Sequence, residues 1–229
     1  MSCARATFCV VVGGSAASVY DGRRWLTARA VDTGYTLYDV SCAGPRFCMA
    51  GDSGGGELTY DGRGWHRAVI DPGDDLQSTS CVTRRFCVAT DNDGTAYTWR
   101  DGRWSHITVA AGAGLMVSCA SASFCGVTGA DGYAGTWNGT RWRVSPRLES
   151  GYLQQAISCA SPDYCVSVDY GGGVSYYRGA GWATAPGTID RQPLDAVSCA
   201  SAGDCVAGDA DGRVLFPRSR AASPRSTAR

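Results

Sequence analysis

Twelve cysteines divide this chain of 229 residues into six similar units. Five residues separate the two members of every pair, and successive first cysteines lie 39, 39, 38, 40 and 40 residues apart. A serine precedes the first cysteine every time, and an aromatic residue precedes the second in five units of six. The pairs are Cys3 with Cys9, Cys42 with Cys48, Cys81 with Cys87, Cys119 with Cys125, Cys159 with Cys165, and Cys199 with Cys205. This period indicates a tandem array of six units of about 39 residues, starting near residues 1, 37, 76, 114, 153 and 194.

Each unit has the pattern of four short β-strands. In the third unit the first strand ends at Cys81, and the second begins at Cys87. A Gly/Asp-rich turn follows at residues 91–94, and a third strand at 95–99 leads through a tight Asp-Gly turn to Trp104. Asp-Gly and Asn-Gly supply the positive φ angles that short hairpins need. Short aromatic and β-branched strands between regular turn signals indicate an all-β chain.

A four-stranded antiparallel unit of this size cannot bury both of its faces alone. Radial stacking of six such units buries them, so we predict a six-bladed β-propeller of four-stranded antiparallel blades. An open β-solenoid is the alternative, although its coils are shorter and pair in parallel. The recurrent tryptophans are expected to pack between neighbouring blades. They are Trp25, Trp65, Trp104, Trp142 and Trp182.

The repeat also resembles a known family. Units of the form Ser-Cys-x5-Cys-Val-Ala, followed by an aromatic residue, Asp-Gly and Trp, resemble the repeats of secreted actinobacterial β-propellers. They are more loosely similar to the Asp-box (BNR-type) repeats of sialidase-like propellers. The residues that approach the Asp-box order are Thr59, Asp61, Gly62 and Trp65. The resemblance covers residues 1 to about 216, and it implies a propeller in which this Asp stabilises a turn and does not catalyse.

The five-residue gap places the two cysteines of a unit opposite each other across a hairpin. We therefore predict one disulfide per blade, with Cα atoms about 5 to 6 Å apart. Reduced structural cysteines and a metal site are the alternatives, although metal sites prefer two to four residues between cysteines and an added ligand nearby. Six disulfides imply an oxidising compartment, so the protein is expected to be secreted. The chain carries no signal peptide at its start, which predicts an upstream extension in the natural protein.

The two ends of the array depart from the repeat. The first unit begins at its cysteine without the preceding innermost strand, and the last ends near Phe216 without the Trp-bearing fourth strand. We expect residues 1–216 to form a single domain and the Arg/Ser/Ala-rich residues 217–229 to form a disordered tail.

Charge and composition exclude two classes of partner. The formal net charge is +0 at neutral pH, which argues against nucleic-acid binding. No apolar run approaches the roughly 20 residues that a membrane-spanning helix needs. We therefore expect a monomeric protein that binds a polar ligand or a protein partner.

The candidate ligand site lies on one face of the predicted ring. Four aspartates, each four residues after the second cysteine of its unit, are expected at the mouth of the central channel with three tyrosines. These ligand-binding candidates are Asp52, Asp91, Asp169, Asp209, Tyr35, Tyr152 and Tyr170. Carboxylates accept paired hydrogen bonds from vicinal hydroxyls and aromatic rings stack on sugars, so a carbohydrate is the first choice of ligand. The alternative is that each Asp only caps its turn.

Metal and cofactor signals are weak. The stretches 91–94 and 209–212 resemble calcium loops, but neither has the downstream bidentate Glu, so we predict no cofactor and keep calcium as an alternative. The opposite face is expected to be basic. Its arginines are Arg5, Arg23, Arg24, Arg46, Arg63, Arg84, Arg85, Arg103, Arg141 and Arg178.

Three functions are compatible with these residues. The first is a secreted, non-catalytic binding module for a carbohydrate or another polar ligand at an acidic channel mouth. The second is a structural or protein-interaction platform of a larger extracellular protein. The third is a glycan-acting hydrolase or lyase, for which paired carboxylates are available among the many Asp residues, although near-identical units argue against an enzyme. A Ser/His/Asp arrangement is disfavoured because the two histidines, His66 and His106, are expected on outermost strands. No catalytic residue is assigned.

Overall fold

A computed structural model of the chain describes residues 1–148 and 152–216, and these residues form a six-bladed β-propeller. Blade 1 comprises β1 (Ser2–Arg5), β2 (Phe8–Gly13), β3 (Ala16–Tyr20) and β4 (Arg29–Ala30). Blade 2 comprises β5 (Leu37–Gly44), β6 (Phe47–Asp52), β7 (Gly56–Tyr60) and β8 (Trp65–Val69). Blade 3 comprises β9 (Leu76–Thr83), β10 (Phe86–Asp91), β11 (Thr95–Arg100) and β12 (Arg103–Thr108).

The second half of the ring repeats the arrangement. Blade 4 comprises β13 (Leu115–Ser121), β14 (Phe124–Gly129), β15 (Ala134–Trp137) and β16 (Trp142–Val144), with a short 3-10 turn, Ala130–Gly132, between β14 and β15. Blade 5 comprises β17 (Gln154–Ser161), β18 (Tyr164–Asp169), β19 (Gly173–Tyr177) and β20 (Trp182–Thr188). Blade 6 comprises β21 (Leu194–Ser201), β22 (Asp204–Asp209) and β23 (Val214–Leu215). Consecutive strands pair antiparallel within every blade.

All six predicted disulfides are present, one in each blade. Each joins the innermost strand to the second strand at directly opposed positions of the ladder. In chain order the bonds join Cys3 to Cys9, Cys42 to Cys48, Cys81 to Cys87, Cys119 to Cys125, Cys159 to Cys165, and Cys199 to Cys205. The six bonds indicate that the chain folds in an oxidising environment.

The distance predicted across these disulfides was wrong in every blade. The expected Cα separation was about 5 to 6 Å. The observed separations are 3.9 Å for Cys3 and Cys9, 4.0 Å for Cys42 and Cys48, 4.1 Å for Cys81 and Cys87, 3.9 Å for Cys119 and Cys125, 3.9 Å for Cys159 and Cys165, and 4.0 Å for Cys199 and Cys205. The atoms are closer because the two cysteines are immediate cross-strand neighbours, and the spacing of the ladder sets their separation.

The serine before the first cysteine joins each of the first five blades to the next one. The Ser41 hydroxyl accepts a hydrogen bond of 2.8 Å from the backbone N–H of Cys81, the first cysteine of the following blade. Four other serines repeat this bond to the next blade's first cysteine: Ser2, Ser80, Ser118 and Ser158. The repeat therefore carries a serine at this position because its hydroxyl satisfies a backbone donor of the following blade.

Apolar side chains fill the seams between blades. Blade 1 places Phe8 and Val10 against Ala50 and Leu58 of blade 2, and all four are buried. The tryptophans lie at the rim of these seams and are partly exposed. Each packs on an aromatic ring of the third strand of its own blade, as Trp65 does on Tyr60, with ring centroids 5.3 Å apart. The tryptophans therefore contact the third strand of their own blade as well as the seam between blades, where they were predicted to pack.

The two terminal blades differ from the four blades between them. Blade 1 does contain an innermost strand, contrary to the sequence-based expectation, although β1 has four residues where β5 has eight. Blade 6 has three strands among the residues described, as its missing tryptophan predicted. Within those residues, Ser198 makes no bond to Cys3 and no buried cluster joins blades 6 and 1. The expected tail, residues 217–229, lies outside the described residues.

Candidate functional site

The four aspartates predicted as ligand-binding residues end the second strands of blades 2, 3, 5 and 6, on one face of the ring. All four are buried. Oδ1 of Asp169 accepts hydrogen bonds from the N–H groups of Gly171 and Gly173, at 2.9 and 2.8 Å, and so caps the turn between β18 and β19. Asp52, Asp91 and Asp209 cap their turns through Oδ1 as well. Each of these residues therefore has a structural role, and its Oδ2 takes no part in the cap.

Two of the three predicted tyrosines occupy equivalent places. Tyr35 and Tyr152 each lie two residues before an innermost strand, and each covers a glycine of the neighbouring turn. A Cβ atom on Gly54 would clash with the Tyr35 ring, and one on Gly171 would clash in the same way with the Tyr152 ring. A side chain at either glycine would displace the tyrosine. Tyr170 lies in the blade 5 turn and is 59% exposed.

In blade 2 a guanidinium completes this arrangement. Arg67 of β8 donates to Oδ2 of Asp52 from Nε at 2.6 Å and to Oδ1 from Nη2 at 3.1 Å. Its Nη2 also donates to the carbonyl of Gly54, and its Cζ atom lies 4.4 Å from the centre of the Tyr35 ring. Asp32 of the linker lies 3.5 Å from Nε of Arg67. Burial opposes ionisation of Asp52, but the bonds from Arg67 and the turn amides hold its pKa below the usual range.

In blade 3 the same turn is surrounded by carboxylates. Asp71 and Asp74 of the linker bring carboxylate oxygens within 4.8 Å of one another and of Asp91. Burial, with the charges of Asp71 and Asp74, raises the pKa of Asp91. Oδ2 of Asp71 is buried and has no hydrogen-bond partner among the described residues. Asp91 is the only residue of the predicted calcium loop that belongs to this cluster. Among the described residues, the cluster is the one group of three carboxylates close enough to bind a single metal ion, and oxygen ligands of this kind are those that calcium prefers.

In blade 5 the arrangement leaves an open pocket of about 420 Å³. Asp169 and Tyr152 keep the positions of Asp52 and Tyr35, but Thr184 stands where blade 2 has Arg67. The ladders fix this equivalence, because Arg67 pairs with Leu58 and Thr184 with Ser175, each two residues after the tryptophan that opens its strand. The pocket is lined by Tyr152, Asp169, Gly173, Thr184, Ala185, Pro186, Gly187 and Thr188.

The central channel is a separate cavity of about 740 Å³. The innermost strands line it, largely with serine, threonine and small apolar residues. Its acidic residues are Asp39, which accepts a 2.9 Å bond from the Thr79 N–H, and Asp195. The seven predicted ligand-binding residues lie outside the channel lining, in the surrounding ring of turns and linkers. The structure therefore moves the candidate site from the channel mouth to the boundaries between blades.

Sequence reasoning missed Arg67 and Thr184 as site residues, whereas Asp71 and Asp74 were expected on the same acidic face as Asp91. Arg67 and Thr184 follow the repeat tryptophan by two positions, so an alignment of the six units on that tryptophan pairs them with each other. His106 holds the same position in blade 3, where its ring lies 5.7 Å from that of Tyr97. Both histidines lie on fourth strands, β8 and β12, as predicted.

No helix among the described residues is long and apolar enough to cross a membrane. No protein-family model and no curated protein matches the chain. Solved structures do match it in fold. A chain of the mitotic checkpoint complex aligns with a TM-score of 0.75 at 13% identity, covering 93% of this chain and 71% of that one. The β-propeller domain of Swd1 from Myceliophteria thermophila aligns with a TM-score of 0.72 at 10% identity, covering 94% and 80%.

A third structure similar to this chain is BBS1N in complex with ARL6DN, with a TM-score of 0.64 at 15% identity, covering 93% of this chain and 78% of that one. At identities this low, the structural similarity shows the fold alone. That fold is the β-propeller that the cysteine repeat predicted.

Proposed function

We propose that this protein is a non-catalytic binding module that recognises a partner protein through the face formed by the second-strand turns and the inter-blade linkers. We call this surface the turn face. The observation that carries the proposal is the blade 5 pocket, where an exposed tyrosine ring lies beside a buried carboxylate whose Oδ2 has no donor among the described residues.

The composition of the turn face supports a protein partner. Tyr35, Tyr152 and Tyr170 are between 41% and 59% exposed. Tyrosine is enriched where proteins bind proteins, because its ring gives a large contact area at low entropic cost and its hydroxyl tolerates water. The acidic linkers between the tyrosines favour a basic partner.

The similar structures are consistent with such a role. Two of them are propellers seen in assemblies, namely a chain of the mitotic checkpoint complex and BBS1N in complex with ARL6DN. The six disulfides support an oxidising compartment for this interaction, and we propose secretion as the route to it.

A carbohydrate is the second candidate, and the same pocket favours it. The ring of Tyr152 offers a stacking surface, and Asp169, Thr184 and Thr188 offer acceptors and hydroxyls next to it. A sugar bound there would not find the same pocket in blade 2, because Arg67 fills the equivalent place in that blade.

Peptide display and a glycan array, both probed with the oxidised protein, test the proposal. We expect peptide ligands whose binding falls at least about tenfold when Tyr152 is changed to Ala. The matched control is Arg84→Ala, since Arg84 lies on the opposite face beside Trp99 and Asp101. Peptides that bind both variants as they bind the wild type would contradict the turn face as the site. Glycans that lose binding on Tyr152→Ala would assign the pocket to a carbohydrate instead.

A further inference from the structure

We propose that the blade 5 pocket is a receptor for the guanidinium group of an arginine side chain presented by a partner protein. This inference rests on the proposed function, because it names the chemical group that the same pocket binds. It comes from a comparison of two blades of this chain, one of which contains its own arginine in the equivalent position.

Blade 2 shows how a guanidinium fits this frame. The group lies over the Tyr35 ring at 4.4 Å, donates two hydrogen bonds to Asp52, and donates a third to the carbonyl of Gly54. One face of the cation is covered by a π-system, and its edge is matched by a carboxylate and a carbonyl. This combination satisfies the planar, multidonor chemistry of arginine.

Blade 5 keeps the capping carboxylate and the covering tyrosine of that frame. The Asp169 carboxylate caps its turn with bonds to the second and fourth residues beyond it, as Asp52 does. Tyr152 covers Gly171 as Tyr35 covers Gly54. Asp169 is 1% exposed, yet its Oδ2 receives no donor among the described residues and borders the pocket. The two acceptors and the ring that hold Arg67 therefore have counterparts in blade 5.

The cation of blade 2 has no counterpart among the residues that line the blade 5 pocket. Thr184 is too short to reach Asp169, and its hydroxyl lies 3.3 Å from that of Ser175. Beyond Thr184 the strand bulges at residues 185–187. As a result, β20 borders the space that corresponds to the position of the Arg67 side chain in blade 2, and this space stays open as the pocket. No basic side chain lines the pocket among the described residues. A buried carboxylate without a counterion favours a cation from outside the chain.

Arginine fits this pocket better than lysine. A guanidinium can stack on the Tyr152 ring while it donates in its own plane to Asp169 and to the carbonyl of Gly171. An ammonium group is a more strongly hydrated point charge. Because it is not planar, it cannot stack on the ring and at the same time donate hydrogen bonds in one plane to both acceptors. The expected binding determinant is thus an exposed arginine in an extended or loop segment of the partner.

The first test uses the oxidised full chain and N-acetyl-L-arginine N-methylamide as the probe, with the lysine analogue as the comparison. In an NMR titration up to tens of millimolar, we expect the amide signals of Gly171 and Gly173 to shift, and the lysine analogue to bind several-fold more weakly. Thr184→Arg should place an intramolecular guanidinium in the pocket, and the affinity for the probe should therefore fall at least about tenfold. Thr184→Val, which adds no cation, is the matched control and should keep binding.

The second test asks whether removal of Arg67 creates an equivalent arginine-binding pocket in blade 2. Arg67→Thr should open a pocket there, so that the probe shifts the amide signals of Gly54 and Gly56 as well. Because this variant leaves Asp32 and Asp52 without their cation, the probe should raise its Tm more than that of the wild type. If Arg67→Thr does not fold, the Thr184→Arg measurement carries the test alone.

Several results would overturn the inference. These are equal binding of the lysine analogue, unchanged binding of the arginine probe to Thr184→Arg, and the absence of any shift at the blade 5 glycines. Stronger probe binding after removal of residues 217–229 would assign the pocket to an arginine of this chain. If the arginine probe fails but a displayed peptide or a glycan loses binding on Thr184→Arg, the proposed function stands and only the guanidinium chemistry is wrong.

Discussion

Blades 2 and 3 contain the same turn in opposite electrostatic settings. In both, a buried Asp at the end of the second strand caps the turn through Oδ1, and a linker carboxylate approaches it. Blade 2 adds Arg67, whereas blade 3 has His106 at that position and Asp74 in place of the tyrosine. The cap is thus a constant part of the repeat, while two variable positions decide whether its second oxygen faces a cation or other carboxylates.

This difference separates structure from function within a repeat. The capping Asp recurs in four blades because the backbone needs it, so its recurrence says little about ligands. The positions that differ between blades, such as Arg67, His106 and Thr184, decide what each boundary can bind. Function in this fold is therefore to be sought where the units disagree.

Removal of the cation in blade 2 should have the largest effect. Arg67→Ala leaves Asp32 and Asp52 buried without a counterion, so we expect a loss of about 4 kcal/mol in the free energy of unfolding, measured by urea denaturation of the oxidised protein. The matched control is His106→Ala at the equivalent place in blade 3, which should cost less than about 1 kcal/mol. Equal losses in the two variants would show that Arg67 contributes packing and not charge.

Glu57 should give blade 2 a pH dependence that the equivalent position of blade 3 lacks. Burial raises the pKa of Glu57 to about 7 from an ordinary 4.5, and blade 3 has Ala96 at this place. A raised pKa means that the folded state holds the proton more tightly than the unfolded chain does. The stabilisation is therefore complete below pH 4.5 and is lost as the pH rises through about 7.

Between these limits the loss should amount to about 3 kcal/mol in the free energy of unfolding. Glu57→Gln should flatten this part of the stability curve, measured by denaturation at a series of pH values. A curve for Glu57→Gln that still falls by the same amount across this pH range would assign the dependence to another group.

The sequence predicted the fold because the fold depends on features that repeat. Cysteine spacing, the Asp-Gly turns and the tryptophans fix strand pairing in every unit, and each is visible in a single chain. The serine before the first cysteine was equally visible, but its role needs the position of the next blade, where the Cys81 N–H meets Ser41.

The site was only partly predictable for the same reason. Tyr152 and Asp169 were identified, but their partner Thr184 is an ordinary strand residue until the register aligns it with Arg67. The convergence of Asp71 and Asp74 on Asp91 depends on the path of a linker, which has no periodic pattern. Predictions from periodicity therefore end where the non-repeating residues begin.

Relief of repulsion in blade 3 should have a smaller effect, opposite in sign. The side chain of Asp74 accepts the N–H of Asp75, which Asn can also do, so Asp74→Asn removes charge and keeps this bond. We expect a gain of about 1 kcal/mol in unfolding free energy, measured in EDTA so that no divalent cation screens the cluster. Asp52→Asn, the corresponding neutralisation in blade 2, should destabilise the protein because Arg67 loses its partner. A loss of stability in both variants would contradict the contrast between the two turns.

The acid response of the two caps should show the smallest effect. Asp91 has a raised pKa, so acidification through its folded value adds stability relative to neutral pH, and this gain is complete below the unfolded value near 3.8. Asp52 has a lowered pKa, so its contribution is present above 3.8 and is lost as the pH falls through its folded value.

Carboxyl carbon shifts in an NMR titration should resolve the two groups, with Asp91 protonating at a higher pH than Asp52. Arg67→Ala should raise the midpoint of Asp52 towards that of Asp91, because it removes the guanidinium that separates them, and Asp74→Asn should lower the midpoint of Asp91. If both midpoints stay in place, the neighbouring charges do not set the difference between the blades, and burial alone would have to explain it. That result would also weaken the use of blade 2 as a template for blade 5, since both depend on the same pairing of a turn-capping Asp with a guanidinium.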